Sequence, residues 1–488
     1  SGKDLFDYPP KPFGCSRFPY RISLRQSIKP PDETPGSAVK AKKKPAAALL
    51  LRPGCLIFAV KTQIEMTKRM LYRSVLAIAA MAGPCLAAAS ASRANETVQT
   101  YWNDSGARKG LYVERAKDDP NREPTIFLAG HKYRDIGMNC YDLFNCALKF
   151  TDDGLRIDLS DSFATLELLK KEGIGLIRFN CGIYYSAELG ASYMTDRDAY
   201  IDALRQIAAR AQELEIGLIP CLMWHYAAVP EYFGEPLRSW GRPGSKTVEF
   251  LKAYTTDIVT SLREYKSIFA WEFGNEFNLH ADLPQYAQRH TQADPPDWRD
   301  VFGTEDPDWR IRGKDILYAY RTFTRIVRRL DPDRRMLLSG NAILRETQYN
   351  QYTRDRMTID DTKQYRKISR ILNPGPIETV SEHVYQHGRQ FADLGKVSLD
   401  EQIAIAVETA RSLGKVYVMG EFGAIRGSRE EYVPFFEAFL KAGVQLSLFW
   451  NFSLRGNIEQ SCTPTERGPY IFELIREYKQ KDAALHGE

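Results

Sequence analysis

From residue 133 onward the chain repeats one unit, a short apolar run followed by a loop and then a helical stripe. The runs occupy residues 136–140, 174–179, 216–221, 268–273, 336–339, 379–384, 416–420 and 444–450. Each is too short for a stable helix, and all but 379–384 (TVSEHV) are mainly apolar on both faces, which is the pattern of a strand buried on both sides. Between them, Ile201, Leu204, Ile207, Ala208, Ala211 and Leu214 fall at three- and four-residue spacing, as do Ile403, Ala406, Val407, Ala410 and Leu413. Such stripes are the buried faces of helices. Further helices are expected over 163–171, 248–262, 316–330, 432–440 and 470–478. Eight strands alternating with helices predict an α/β fold closed into a (β/α)8 TIM barrel, not an open sheet. Residues 110–132, with LYVE and TIFLAG flanking DDPNREP, predict a hairpin across the bottom of that barrel. Two long connections, 278–314 and 341–376, follow the fourth and fifth strands. Long loops at strand C-termini are where barrels build their sites.

Two strand ends are alike. AWEFGNEF (270–277) delivers Glu276, and VYVMGEFG (416–423) delivers Glu421. Two carboxylic acids at the ends of separate parallel strands suit glycosidic bond cleavage, because one must protonate the leaving oxygen while the other works from the sugar's opposite side. Alone, each Glu reads equally as a helix cap or ion-pair partner. Other residues gather at the same rim: Arg178 in LIRFN, His383 and Tyr385 in EHVYQH, Trp450 in LFWNF, Trp224 and His225 in LMWHY, and Asn139 and Tyr141 in MNCYD. A cation and a phenol beside Glu421 would favour its ionised form. Partial burial beside Trp271, with a negative Glu421 nearby, would keep Glu276 protonated. Trp450 suits stacking on a pyranose ring, and Tyr184, Tyr185, Tyr226, Tyr232 and Trp240 suit sugar subsites. The plainer alternatives are a buried ion pair for Arg178, a satisfied core histidine for His383 and a core cap for Trp450. Glu272 and Glu382 read as barrel-interior or ion-pair residues.

From Tyr133 to Trp450 these strand ends, in this order, resemble glycoside hydrolase family 5, in the clan of retaining (β/α)8 glycosidases. The resemblance implies Glu276 as acid/base, Glu421 as nucleophile, Asn275 on the sugar 2-hydroxyl and Arg178 keeping the nucleophile ionised. It also implies His383 and Tyr385 as the family's His-x-Tyr and Trp450 as its sugar platform. Phe277 departs from the pattern, since many members carry proline after Asn-Glu, and that bears on the substrate. The expected function is a retaining hydrolase of β-mannan or β-glucan type poly- or oligosaccharides. Alternatives are a carbohydrate-binding barrel without catalysis, or a membrane-anchored glycan-interacting protein. No metal is expected, since the rim shows no His-x-His or clustered carboxylates, and no cofactor, since GxGxxG and phosphate-loop motifs are absent.

The net charge of +5 conceals two parts. Residues 1–94 hold 16 Lys and Arg against 5 Asp and Glu, a net +11, which leaves −6 on the remainder. A mildly acidic body argues against nucleic acid as partner. Residues 1–65 are rich in Pro and basic residues without periodicity and read as a disordered or misassigned extension. Residues 66–91 resemble a signal peptide, with Lys68, Arg69 and Arg73 ahead of an apolar stretch and Ala89-Ser90-Ala91 as cleavage site. The catalytic domain is expected over 110–480, secreted to an extracellular or periplasmic space. Membrane association would follow only if 75–91 stayed as an uncleaved anchor. Of eight cysteines five lie in the body, and a Cys140–Cys146 disulfide is conceivable there. If the segment is a cleaved signal, N-terminal sequencing of the exported protein should begin near Ser92. An active exported protein retaining Lys42 to Lys44 would contradict that.

Overall fold

The computed structural model describes residues 99–486, apart from 116–122, 152–153, 183, 284–309, 355, 386, 424–426, 456–459 and 467. The N-terminal extension, the signal-like segment and most of the loop after the fourth strand therefore lie outside the described residues. The eight apolar runs form one parallel sheet: β1 (Asp135–Asn139), β2 (Leu176–Asn180), β3 (Gly217–Met223), β4 (Ala270–Gly274), β5 (Met336–Leu338), β6 (Thr379–Val384), β7 (Val416–Phe422) and β8 (Leu446–Phe449). Their order is β5-β4-β3-β2-β1-β8-β7-β6, so the sheet curls until β5 and β6 meet. No backbone ladder joins those two. Instead the Leu337 N–H donates to Glu378 Oε2 at 3.0 Å, and Thr379 Oγ1 donates to the Leu337 carbonyl at 3.2 Å. Side chains thus satisfy a backbone edge that would otherwise be left bare.

A helix follows every strand: α1 (Ser160–Lys171), α2 (Arg197–Glu213), α3 (Lys246–Leu262), α4 (Gly313–Leu330), α5 (Thr362–Leu372), α6 (Leu399–Ser412), α7 (Arg429–Ala442) and α8 (Tyr470–His486). Their starts are chemically marked. Asp361 with Gln364, Ser398 with Glu401 and Ser428 with Glu431 form reciprocal capping boxes on α5, α6 and α7, each satisfying two otherwise orphaned N–H groups. Helix α5 corrects the reading of 341–376 as one long loop. Its buried face is Tyr365, Ile368, Ser369 and Leu372, in which only two residues are aliphatic, so the stripe is hard to see in sequence. A short helix, Gln348–Arg354, precedes it.

The predicted hairpin is present. Leu111–Arg115 pairs antiparallel with Pro124–Leu128, and the Leu111 N–H reaches the Phe269 carbonyl just ahead of β4. Leu111, Ile126, Leu128 and Tyr101 join Leu176, Ile219, Ala270, Met336, Val418 and Leu446 in one apolar layer. Each such aliphatic side chain contributes about 1.5–3 kcal/mol on burial. The described cysteines are all free thiols. Cys146 Sγ sits 3.5 Å from Ser162 Oγ, and Cys140 Sγ 3.7 Å from Asp142 Oδ1, so the conceivable disulfide does not form. Among the described residues no helix is long and apolar enough to cross a membrane.

At the upper rim β4 and β5 approach closely. Gly340 has φ +68°, and a Cβ there would lie 1.8 Å from the Gly274 carbonyl oxygen. Both the left-handed backbone and the lack of space exclude a side chain. Gly340→Ala should therefore cost at least about 1 kcal/mol, measured as a lowered midpoint in urea unfolding. An unchanged midpoint would contradict the close packing.

Candidate active site

Above the apolar layer the barrel interior turns polar, and Arg178 is at its centre. Leu176 faces inward on β2, so Arg178, two residues on, does too. It is fully buried. Nε donates to Glu272 Oε2 at 2.5 Å, and Nη1 donates to Glu421 Oε1 at 2.7 Å and Asn139 Oδ1 at 2.9 Å. Nη2 donates to Asn275 Oδ1 at 2.8 Å. Burial opposes the charge, but Glu272 and Glu421 outweigh it and hold the guanidinium above its ordinary range. Arg178 is thus both a buried ion-pair partner and a direct contact of Glu421.

Glu421 faces inward only because β7 is irregular. Val416 and Val418 point to the interior, so strict alternation would turn residue 421 out to the helices. Glu382 pairs with Met419 and His383 with Glu421, a register shift that leaves Gly420 as an extra residue. The bulge re-aims the next side chain. A Cβ on residue 420 would lie 2.8 Å from His383 Nε2, so glycine lets the imidazole pack flat against β7. Tyr385 donates its hydroxyl to Glu421 Oε2 at 2.6 Å, giving each oxygen of Glu421 a strong donor.

Glu276 lies across the mouth on a strained backbone, φ +56°. Its N–H donates to the Gly340 carbonyl at 2.7 Å, and its carbonyl accepts from the Leu279 N–H at 2.9 Å. His383 Nδ1 is 3.0 Å from Glu276 Oε1 and 3.3 Å from Glu421 Oε1. One oxygen of each carboxylate and a His383 nitrogen all lie within 4.8 Å of one another. Burial raises Glu276 to about 7, with Arg178 pulling the other way, although 26% of its side chain remains exposed to the mouth. Burial raises Glu421 as well, against the pull of Arg178 and the Tyr385 hydrogen bond. Burial lowers His383 to about 3, so the ring is neutral. Its Nε2 is buried with no hydrogen-bond partner among the described residues, so Nδ1 is the ring nitrogen that hydrogen-bonds at the site, facing the two carboxylates. The desolvation of Glu276 does not come from Trp271, as the sequence reading had it. Trp271 points outward, and its indole N–H donates to Asp331 Oδ2 at 3.0 Å.

The three ligand-type residues could share an ion only against the fully buried Arg178, already 2.7 Å from Glu421. A cation bound to Glu421 would face that guanidinium across the same carboxylate, and like-charge repulsion in a desolvated site disfavours a metal.

The aromatic candidates divide. Trp224 and Trp450 stack, with ring centroids 6.2 Å apart and planes at 27°, and Tyr141 meets Trp224 edge-on at 4.9 Å. Tyr184 stacks on His225 at 5.0 Å, extending the wall. Trp240 instead is fully buried; it donates to the Tyr226 carbonyl and packs 5.2 Å from Phe277. That packing accounts for Phe277, which fills an aromatic cluster behind the Glu276 turn. Asn139 does not line the mouth: its amide N–H groups are directed at the carbonyls of Gly420, Leu448 and Phe449 at 3.0, 3.2 and 3.3 Å, tying β1 to β7 and β8. Asn275 has its oxygen held by Arg178, which leaves its NH2 for the mouth. Glu272 is a barrel-interior ion-pair partner of Arg178, as expected; Glu382 instead points outward between the sheet and α5, where the Tyr365 and Tyr417 hydroxyls donate to it at 2.8 and 3.3 Å. Sequence reading missed the segment 340–345, which ties Glu276 at Gly340 and also donates from Ile343 N–H to the His383 carbonyl at 3.2 Å. Its only signal was the Gly-Asn directly after a strand.

A family model described as cellulase (glycosyl hydrolase family 5) matches residues 158–454. Among solved structures, the endo-1,4-β-mannanase from Rhizomucor miehei is 12% identical with a TM-score of 0.50, covering 76% of this chain and 99% of that one. The endo-β-1,4-mannanase from Thermotoga petrophila is 16% identical with a TM-score of 0.48, covering 73% and 78%. The endoglucanase catalytic domain from Thermobifida fusca is 12% identical with a TM-score of 0.44, covering 78% and 99%. A search of curated protein sequences gave no match. The matched segment spans most of the barrel and contains both glutamates and Arg178: the chain belongs to glycosyl hydrolase family 5 and is a glycoside hydrolase.

Proposed function

We propose that the protein hydrolyses β-mannan or β-glucan type chains with retention, using Glu421 as nucleophile and Glu276 as acid/base. The observation that carries this is the pair of carboxylates within 4.8 Å of one another, each in a different electrostatic setting. Retaining enzymes need carboxyl groups about 5–5.5 Å apart, whereas inverting ones leave about 6.5–9.5 Å for a water. Glu421 receives donors on both oxygens and remains the anion. Glu276, lacking the guanidinium contact, takes the proton that two close carboxylates share near neutral pH.

In the first step Glu421 attacks the anomeric carbon while Glu276 protonates the leaving glycosidic oxygen. The covalent intermediate removes the charge on Glu421. Glu276 then loses a like-charged neighbour, its pKa falls, and it can accept the proton of the attacking water. With its oxygen engaged by Arg178, Asn275 is assigned the sugar 2-hydroxyl through its NH2, and the Trp224–Trp450–Tyr141 wall suits the flat face of a ring with equatorial substituents. A non-catalytic barrel would need neither the strained Glu276 backbone nor the bulge that turns Glu421 inward. The signal-like segment supports export of this activity.

Roles are tested by the anomer that azide yields. Glu276→Ala should lose about 10²–10⁴-fold on polysaccharide, and azide should rescue it on an activated aryl glycoside as the β-azide. Glu421→Ala should form no glycosyl-enzyme and, if rescued, give the α-azide. The same anomer from both variants would reverse or void the assignment. Protonation is tested by stability. Between about 4.5, the ordinary value, and about 7 the folded protein holds a proton on Glu276 that the unfolded chain releases. Native stability therefore falls as pH rises through that window and levels off above it. Glu276→Gln should leave stability unchanged near pH 4 and raise it by ~2–3 kcal/mol at pH 8. A gain independent of pH in urea unfolding would contradict the raised pKa.

A further inference from the structure

Glu276 occupies the left-handed region, φ +56°, which a residue with a Cβ seldom adopts unless its surroundings impose it. The turns that follow leave three carbonyls, those of Asn278, Leu279 and Ala281, directed at one side chain. Arg345 Nη1 donates to the Asn278 and Leu279 oxygens at 2.8 and 2.5 Å, and Nη2 donates to that of Ala281. The other edge of the guanidinium donates from Nε and Nη2 to Gln351 Oε1 at 2.8 and 2.6 Å. These partners are carbonyl and amide oxygens, not carboxylates; Asp282 and Asp360 supply opposite charge only at longer range. Burial lowers Arg345 to about 10, so it stays charged at neutral pH.

The same short segment makes three further links. Gly340 O accepts from the Glu276 N–H, Asn278 and Ala342 exchange two hydrogen bonds at 2.9 and 2.8 Å, and Ile343 N–H meets the His383 carbonyl. We infer that Arg345 is the positioning residue for Glu276: its planar fork collects the three carbonyls of the following turn and so fixes where the carboxyl stands relative to His383 and Glu421. A lysine could supply the charge but not the fork, since one ammonium cannot span donors to three oxygens and a glutamine in one plane.

This rests on Glu276 being the acid/base. A displaced proton donor harms a reaction in proportion to how much the leaving group needs a proton. Arg345→Ala should therefore lower kcat/KM about 10- to 100-fold on phenyl mannobioside or cellobioside, whichever is turned over, and only a few-fold on the 2,4-dinitrophenyl glycoside. The loss should fall on kcat, and added guanidinium chloride at millimolar concentration should restore part of it. Arg345→Lys should stay impaired. Gln351→Ala, which removes the acceptor orienting the guanidinium along with an amide contact to Met357 Sδ, should show a smaller loss with the same leaving-group dependence and keeps the test open if Arg345→Ala folds poorly. Equal losses on both glycosides, or no loss, in these variants would overturn the inference while Glu276→Ala stays leaving-group selective. If Glu276→Ala itself showed no selectivity, the assignment of Glu276 would fall first and this inference with it.

Discussion

Everything at the mouth of this barrel depends on one desolvated guanidinium. Taking Arg178 out of water would cost several kcal/mol if it stood alone, and the structure meets that cost with acceptors drawn from several strands. Glu272 comes from β4, Asn275 from its end, Asn139 from β1 and Glu421 from β7. The cation is therefore a tie across the barrel as much as an electrostatic element. Removing it would leave two buried carboxylates uncompensated, typically a loss of 3–5 kcal/mol. Stability and chemistry are coupled here, because the oxygen that neutralises Arg178 also belongs to Glu421.

The two glutamates differ in what surrounds them, not in kind. Glu421 is enclosed, with a donor on each oxygen, and sits on a rigid strand. Glu276 is partly open to the mouth, stands on a turn and faces a neutral imidazole. Identical side chains acquire different proton affinities from these settings. His383 contributes by staying uncharged: a cationic ring between the carboxylates would stabilise both as anions and abolish the difference.

Much of this was legible in the sequence. Short apolar runs identified seven strands, the largely polar sixth (TVSEHV) took its place from the alternation with helices, and rim residues could be read from strand ends because barrels place function there. What was not legible depended on tertiary detail. Helix α5 was hidden because Tyr365 and Ser369 serve on its buried face in place of aliphatic residues. Trp271 and Asn139 were misjudged because facing depends on pleat and partners, which one strand's sequence does not reveal. Within the long connection after the fifth strand, the part played by residues 340–345 was not legible, because the backbone groups of Gly340, Ala342 and Ile343 and the Arg345 guanidinium find their partners only in the folded turn. Conversely, the glycine inside the β7 motif was a sign of a bulge that strict alternation ignores.

That bulge makes β7 a strand of two parities. Below Gly420 the inward positions have even numbers; above it Glu421 is inward, and Phe422 turns out to pack against Phe436 and Phe439 of α7 at 5.3 and 4.9 Å. A single extra residue thus decides at once which side chain faces the mouth and which one seats the neighbouring helix. With these same residues and no irregularity at Gly420, strict alternation would bring Phe422 inward in place of Glu421 and turn it away from α7.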